Sequence, residues 1–297
     1  MTGGTGFVGQ ALIPKMIGEG HEVVVLSRSG SSQAGGARTV EWSMKSDGDW
    51  VRELVDVDAV VNLAGESIAS GRWSAEKKRS LIQSRTATTG AVVEALRKAN
   101  RRNVHLVSAS AVGYYGSRGD EILDEQSGPG EGFLAEMAVQ WEAAAMRAAD
   151  FAKVTICRFG IVLGEGGMLD RIDTLFRFYL GARLGDGKQW MAWIDRNDLA
   201  DLIVWLLQRE GDVAGVYNAV APNPVTNRRF TDLLAKAVGR PAPLVVPKFA
   251  LELAMGEMAR ELLLASQRVQ PARAQEEGFH FLHPKLESSL GRLYGLS

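Results

Sequence analysis

Short apolar runs alternate with amphipathic stretches of helical period through the first two-thirds of the chain. Most of these runs are continuous, as expected of strands that are buried on both faces of a sheet. The predicted strands are Glu22–Ser27, Asp58–Leu63, Val104–Ser108, Val154–Phe159 and Val216–Ala219. The predicted helices between them are Ser74–Ala99, Phe133–Ala149, Leu169–Leu180 and Asn197–Gln208. This alternation predicts an α/β fold, in which helices cover both faces of a parallel sheet.

The pattern loosens after the turn-rich sequence Pro222-Asn223-Pro224. The segments predicted beyond it are a helix at Arg229–Val238, a strand at Pro243–Pro247, a helical stretch at Phe249–Ala265 and a short final helix. We therefore predict a sheet domain of residues 1–221 and a small C-terminal α/β lobe of residues 222–297. The lobe is expected to lie over the carboxyl edge of the sheet and to cap a substrate.

A glycine-rich turn opens the chain, with Gly3, Gly6 and Gly9 at every third position before an amphipathic run. Glycines let the backbone turn sharply and let a diphosphate approach it, and the helix that follows offers unpaired N–H groups to the phosphates. This is the turn–helix–strand half of a Rossmann-type dinucleotide-binding unit, and the whole fold is predicted to be Rossmann-like and doubly wound. The residues predicted here to bind the cofactor are Gly3, Thr5, Gly6, Phe7 and Val8.

One part of that unit is missing from the pattern. A Rossmann unit has an apolar strand before its first glycine, where this chain has only Met1 and Thr2. Without that strand the sheet would have a gap at its centre, with unpaired backbone groups on both neighbouring strands. Either the chain has lost its first strand, or that strand is truncated and its remainder is encoded upstream of Met1, and we expect the second.

Composition excludes several classes of function. The 297 residues are 46% hydrophobic and 23% charged, and the formal net charge is −1, so the chain offers no basic surface for nucleic acid. No apolar run approaches the roughly 18 residues of a membrane span. The single cysteine, Cys157, fits a reducing, cytoplasmic compartment. His280 and His283 lack further ligands nearby, so no metal site is predicted.

The end of the first predicted strand indicates which dinucleotide is bound. An acidic residue at this position would hydrogen-bond the ribose hydroxyls of NAD, but this chain has Ser27 and Arg28. A carboxylate would repel the 2′-phosphate of NADP, whereas a guanidinium attracts it. The sequence therefore predicts NADP(H), with a solvated surface arginine as the alternative explanation of Arg28.

Small and polar residues also end the other predicted strands. Because the carboxyl ends of parallel strands share one edge of the sheet, these clusters are expected to meet in a single cleft. Any one of them alone is compatible with ordinary turn chemistry. The clusters are Leu63-Ala64-Gly65, Ser108-Ala109-Ser110 and Arg158-Phe159-Gly160, of which Leu63, Ala64, Gly65, Ser108, Arg158 and Gly160 are predicted to line the cofactor site.

These motifs resemble the extended short-chain dehydrogenase/reductases, the NAD(P)-dependent epimerase/dehydratase superfamily, and more closely the atypical "epimerase family protein" branch. The resemblance covers essentially the whole chain and implies a Rossmann-like core that binds NADP(H). It also implies that Arg85 contacts the cofactor. Extended members of the superfamily often form homodimers through two long helices, here the regions Ser74–Ala99 and Phe133–Ala149, and the oligomeric state of this chain stays open. The matching stretches are Thr2–Gly9, Asn62–Glu66, Ser108–Gly116, Arg158–Gly167, Gln189–Leu202, Pro222–Phe230 and Ser266–Pro271.

The chain departs from the superfamily at the catalytic residues. The usual site combines a Ser or Thr with a Tyr-x-x-x-Lys helix, in which Tyr moves the substrate's hydroxyl proton and Lys lowers the Tyr pKa. Here Phe133 or Leu134 stands at the Tyr position and Met137 or Ala138 at the Lys position. None of these side chains can move a proton, so only the serine, Ser110, is retained.

Three further residues are candidates for the proton transfer. Tyr114 and Tyr115 follow Ser110 closely, although a phenol without a nearby lysine should titrate near pH 10. Asp195 precedes an apolar helix at a turn that faces the substrate in the superfamily, and helix capping explains an acid there as well. Two functions stay open: an NADP(H)-dependent oxidoreductase or epimerase acting on a small polar or sugar-nucleotide-like substrate, and a non-catalytic NADP(H)-binding sensor or interaction protein.

Overall fold

The computed structural model describes residues 1–28, 35–100 and 102–296. The helices are α1 (Phe7–Gly18), α2 (Ala75–Lys98), α3 (Phe133–Met146), α4 (Met168–Arg177), α5 (Arg196–Gln208), α6 (Asn227–Val238), α7 (Lys248–Met255), α8 (Ala272–Glu276) and α9 (Leu286–Tyr294). The strands are β1 (Val24–Ser27), β2 (Arg38–Glu41), β3 (Ala59–Asn62), β4 (His105–Ala111), β5 (Ile122–Leu123), β6 (Lys153–Phe159), β7 (Ile161–Leu163), β8 (Ala182–Leu184), β9 (Trp190–Met191), β10 (Trp193–Asp195), β11 (Gly215–Ala219), β12 (Val225–Thr226), β13 (Leu244–Val246) and β14 (Arg268–Val269).

The main sheet is parallel and runs in the order β2, β1, β3, β4, β6, β11, with the backbone of Thr2 between β1 and β3. Thr2 N donates to Val61 O at 2.9 Å, and Leu26 N donates to Met1 O at 2.8 Å. The predicted α/β fold is therefore confirmed. Because Thr2 lies at the centre of the sheet, the glycine turn that follows it begins in the middle of the carboxyl edge.

Two apolar layers cover the sheet, one on each face. Neighbouring residues of β4 point to opposite layers, since Val107 packs with residues of α1 and α5 while Leu106 packs with residues of α2 and α3. This is why the strands read as continuous apolar runs in the sequence. Among the described helices, none is both long and apolar enough to cross a membrane.

The C-terminal lobe is built from two separate parts of the chain. Strand β13 pairs with β8 in parallel, and β12 pairs with β9 in antiparallel fashion. One apolar cluster joins Leu163, Phe176 and Trp193 to Phe230 and Leu290. Residues on both sides of position 221 thus share a core, because the apolar stripe of α6 is buried against α4 and β8, which precede the predicted boundary, as well as against α9, which follows it.

Candidate functional site

The glycine turn leaves the sheet in a conformation that excludes a side chain. Gly3 has φ of +66°, and a Cβ there would lie 2.8 Å from the carbonyl carbon of Leu63. A Cβ at Gly9 would lie 2.5 Å from Gly4 Cα, so α1 sits directly on the turn. Gly6 is the N-cap of α1, and no side chain in the described ranges caps it. The N–H groups of the first turn, which begins at Phe7 and Val8, are therefore left for a ligand.

The adjacent strand ends place the other predicted cofactor residues around this turn. Ser27 ends β1, and the exposed side chain of Arg28 follows directly. Thr5 is also exposed, beside the N-cap. Gly160 follows β6, where its N–H donates to Ala219 O at 3.1 Å. Thr5, Ser27 and Arg28 are thus accessible at the carboxyl edge, as a nucleotide site requires.

A buried polar network holds the Leu63–Gly65 loop from below. The Thr2 hydroxyl donates to Asn62 Oδ1 at 2.7 Å and accepts from Ala64 N at 3.2 Å. Asn62 Nδ2 in turn donates to Thr89 Oγ1 at 2.9 Å and to Ser108 Oγ at 3.3 Å. The structure therefore places Ser108 in the support of the loop. Sequence reasoning did not assign a role to Thr2 or Asn62, although both lie inside the quoted motifs.

Arg85 lies beneath the same loop and is only 7% exposed. Its guanidinium donates to the carbonyls of Glu66 at 2.9 Å and Leu81 at 3.1 Å, and stacks on the Trp141 ring at 5.1 Å. Its Nε is buried and has no partner among the described residues. Burial lowers the pKa of Arg85 to about 10, so it stays charged at neutral pH. Its hydrogen bonds go to neutral groups, and the nearby Glu66 carboxylate acts on it only through space.

Arg158 binds Tyr115 directly and is linked to Ser110 through Glu142, which the sequence analysis did not select. Arg158 Nε and Nη2 each donate to a Glu142 oxygen at 2.8 Å, and Ser110 Oγ donates to Glu142 Oε1 at 2.7 Å. Burial acts to lower the pKa of Arg158, but the Glu142 hydrogen bonds and the neighbouring charges raise it above its usual value. Glu142 lies two helical turns beyond Leu134 on the same face of α3, which is the signal that would have found it.

The two candidate tyrosines have different environments. Tyr115 is fully buried, accepts from Arg158 Nη1 at 2.9 Å and lies 2.7 Å from Asn218 Oδ1, and burial raises its pKa to about 12. Tyr114 is half-buried, and its ring lies 3.4 Å from the Arg158 guanidinium. Its hydroxyl has no hydrogen-bond partner within the described part of the chain. Of the two phenols, only that of Tyr115 is therefore engaged by hydrogen bonds with residues that the structure describes.

Asp195 lies outside this cluster. It is fully buried, and it caps α5 by accepting from Asn197 N at 2.8 Å. Its carboxylate also accepts from Ser289 Oγ at 2.6 Å and from Arg292 Nη2 at 3.0 Å. No hydrogen bond in the described ranges joins it to Ser110, Tyr114 or Tyr115. Asp195 therefore joins α9 to the start of α5.

Apolar packing fills the positions of the absent Tyr and Lys. Phe133, Leu134 and Met137 are buried in one cluster, and the Phe133 ring lies 5.0 Å from that of Trp73. The N-terminus of α3 is capped by Glu261 of the C-terminal lobe, whose carboxylate accepts from Phe133 N at 2.9 Å and from Leu134 N at 2.7 Å. Helix α3 is therefore fixed by the lobe at its first turn.

Comparison with known proteins agrees with this geometry. Residues 1–219 match the NAD dependent epimerase/dehydratase family, and residues 246–293 match a Domain of unknown function (DUF1731). Epimerase family protein Mb2239 of Mycobacterium bovis is 39% identical, over 98% of this chain and 95% of its own length. Epimerase family protein YfhF of Bacillus subtilis is 36% identical, over 99% and 96%.

This chain is also similar to solved structures of epimerase-family proteins. The human epimerase family protein SDR39U1, described with NADPH, superposes with a TM-score of 0.88 at 32% identity, covering 99% of this chain and 98% of the human one. UDP-glucose 4-epimerase of Thermotoga maritima has a TM-score of 0.79 at 19% identity over 99% and 96%, which shows a shared fold. The resemblance predicted from the motifs is confirmed, and the chain belongs to the NAD dependent epimerase/dehydratase family.

Proposed function

We propose that this protein binds NADP(H) at the carboxyl edge of its sheet, with the diphosphate on the first turn of α1. The observation that carries the proposal is the glycine turn. Gly3 and Gly9 stand where a Cβ would meet backbone at 2.8 and 2.5 Å, and the helix they lead into has no side-chain cap among the described residues. Such a turn suits the close approach of a phosphate group.

Two arginines support the choice of the phosphorylated dinucleotide. Arg28 is exposed directly after β1, where the adenosine ribose binds in Rossmann folds, and its guanidinium suits a 2′-phosphate. Arg85 adds a buried charge under the Leu63–Gly65 loop, with its Nε unpaired within the described residues. A 32% identical human relative is described with NADPH, which is in line with this assignment.

Titration with NADPH and NADH, followed by nucleotide fluorescence, tests the proposal. We expect at least about tenfold tighter binding of NADPH, which corresponds to about 1.4 kcal/mol. Arg28→Ala should remove most of this preference, whereas Arg52→Ala, which changes an 84% exposed arginine paired with Asp49, should retain it. Equal affinity for the two nucleotides would refute the NADP(H) assignment, and the absence of binding to either would refute the proposal.

A catalytic role is the second candidate, and Tyr114 favours it. A bound nicotinamide supplies or accepts a hydride. In this chain the Tyr114 hydroxyl is the group positioned to exchange the matching proton, since Tyr115 is enclosed and Ser110 donates its proton to Glu142. The Arg158 guanidinium lies against the Tyr114 ring and fixes its orientation in the short helix Val112–Tyr115 that follows β4. The apolar Phe133 and Met137 favour the alternative, a nucleotide-binding protein without turnover.

An assay of hydride transfer separates the enzyme from the non-catalytic binding protein. It uses NADPH that carries an isotopic label on the hydride of the nicotinamide and follows the loss of that label. Carbonyl metabolites and nucleotide sugars serve as the panel of acceptors. If the protein is an enzyme, the parent should transfer label to at least one acceptor, and Tyr114→Phe should abolish the transfer while Tyr179→Phe, at an exposed position, should not. Transfer that persists in Tyr114→Phe would eliminate this tyrosine as the donor, and no transfer with any acceptor would favour the binding protein.

A further inference from the structure

A glycine-rich loop, Gly164–Gly167, packs against the side chain of Phe7 at the start of α1. Phe7 is the first residue of that helix, and a Cβ at Gly167 would lie 2.6 Å from Phe7 Cζ. At the other end of the loop, a Cβ at Gly164 would lie 2.9 Å from Arg196 Cβ. The loop is therefore packed between the proposed diphosphate turn and the first residue of α5.

Arg196 connects the two sides of this arrangement. Its guanidinium carbon lies 4.9 Å from the centre of the Phe7 ring, and its Nη1 donates to Glu165 O at 2.8 Å. Its Nε is buried and has no partner in the described part of the chain. No carboxylate of the described residues lies within ion-pair distance of it. Arg196 thus brings a positive charge beside the start of α1, while its Nε lies against Gly164.

We infer that Arg196 is a further cofactor-binding residue, which contacts the diphosphate and latches the Gly164–Gly167 loop over it. The inference rests on the proposed binding of NADP(H) at α1. The planar guanidinium of arginine forms strong, charge-assisted hydrogen bonds with phosphate oxygens, and the Arg196 guanidinium lies beside Phe7, where the diphosphate is proposed to bind. The Nη1 bond to Glu165 O holds the loop on the same side chain, so binding of the ligand and closure of the loop are coupled.

This role differs from that of Arg28 in a measurable way. The 2′-phosphate distinguishes NADPH from NADH, whereas both nucleotides carry the diphosphate. A residue that contacts the diphosphate therefore contributes equally to the binding of both. It contributes nothing to the binding of adenosine 2′-monophosphate, which has no diphosphate.

The test is a titration of the parent, Arg196→Met, Arg196→Lys and Arg28→Ala with NADPH, NADH and adenosine 2′-monophosphate. Arg196→Met should weaken NADPH and NADH about tenfold each and leave adenosine 2′-monophosphate within about twofold, and Arg196→Lys should fall between the parent and Arg196→Met. Arg28→Ala should weaken NADPH and adenosine 2′-monophosphate but not NADH. Arg171→Met, at an exposed position on α4, is the matched control and should behave as the parent.

Cleavage by a glutamate-specific protease reports on the loop itself, since Glu165 is exposed. NADPH should slow cleavage after Glu165 in the parent, and this protection should be lost in Arg196→Met at saturating NADPH. If Arg196→Met binds both dinucleotides as the parent does, or keeps the protection, the inference is wrong while the proposed function stands. If the parent binds neither dinucleotide, both the proposed function and this inference are wrong.

Discussion

Arg158 and Glu142 form a two-bond ion pair at the carboxyl end of β6, with both N–O distances at 2.8 Å and the Arg158 side chain only 3% exposed. The Ser110 hydroxyl donates to the same carboxylate at 2.7 Å. The hydroxyl proton of Ser110 is therefore directed at Glu142. Ser110 is the one residue that this chain shares with the Ser, Tyr and Lys of the superfamily's catalytic site. A serine that donates to Glu142 presents only acceptor lone pairs to the cleft, so any ligand group that it meets there has to donate a hydrogen bond.

Truncation of Glu142 should be strongly destabilising. Glu142→Ala leaves the buried Arg158 charge without its partner, and we expect the free energy of unfolding to fall by about 3–5 kcal/mol in urea titrations. The double variant Glu142→Ala/Arg158→Leu should cost clearly less than the sum of the single variants, because it leaves no unpaired charge. Asp150→Ala is the control, since its 3.5 Å pair with Arg97 is exposed and worth under about 1 kcal/mol. Additive costs would show that the two side chains are not coupled.

Asp195 is expected to act on stability through α9. Asp195→Asn removes the charge that pairs with Arg292, and because Arg292 is 32% exposed we expect a loss of about 2 kcal/mol, smaller than for Glu142. Arg292→Leu should cost a similar amount, and the two losses should not add. Thermal unfolding measures both. An Asp195→Asn variant as stable as the parent would contradict this docking role.

The regular part of the fold was predictable because its pattern is local. The five strands and four helices predicted before residue 221 all occur, with ends within about three residues, since each is defined by its own run or period. Strand β2, at Arg38–Glu41, was not predicted, because its residues are half-buried or exposed and mostly polar. The shared core of the C-terminal lobe was also missed, since the pairing of β8 with β13 joins segments about sixty residues apart, and no local pattern encodes such a contact.

The site was predictable only as far as backbone geometry determines it. The glycine turn is readable because only glycine fits there, whereas the partners of a polar side chain depend on tertiary contacts. Tyr114 and Tyr115 are neighbours in sequence, yet one lies half-exposed on Arg158 and the other is enclosed. Likewise Asp195 meets Ser289, which is 94 positions away. The partners of these three side chains could therefore be identified only from the three-dimensional structure.

His105 should make the protein sensitive to acid. The Thr155 hydroxyl donates to Val213 O at 2.6 Å, so His105 Nε2, 2.8 Å from Thr155 Oγ1, has to be the protonated nitrogen of the neutral ring. Burial, together with the charge of Lys153, lowers the pKa of His105 to about 4. The unfolded state then binds the additional proton between pH 6.5 and about 4, so this contribution to stability is complete above pH 6.5 and is lost as the pH falls through that window.

Unfolding free energies measured from pH 7 to pH 4 check this expectation. His105 should contribute a slope of up to about 1.4 kcal/mol per pH unit between pH 6.5 and 4. His105→Gln retains a donor near the Nε2 position and should flatten the profile in this window. His280→Gln, at an exposed histidine, should leave the profile unchanged. An equal slope in the parent and in His105→Gln would show that another group binds the proton.

Glu261 should control the first turn of α3 from the C-terminal lobe. Its two oxygens accept from Phe133 N and Leu134 N, and a carboxylate at a helix N-terminus also interacts favourably with the helix dipole. Glu261→Gln keeps one acceptor but loses the charge, so we expect a loss of about 1 kcal/mol and faster amide exchange in the first turn of α3. Glu131→Gln makes the same change in charge at an exposed position one residue before Gly132, and should have little effect.

Gly132 gives an independent test of the same contact. Its φ is +105°, and a Cβ there would lie 2.9 Å from Glu261 Oε1, so Gly132→Ala combines backbone strain with displacement of the cap. We expect Gly132→Ala to accelerate exchange in the first turn of α3 as Glu261→Gln does, whereas Gly128→Ala, in open space, should not. In a Glu261→Ala background only the strain remains, so Gly132→Ala should cost less there than in the parent. Equal costs in the two backgrounds would mean that the glycine is required by its conformation alone and not by the approach of the carboxylate.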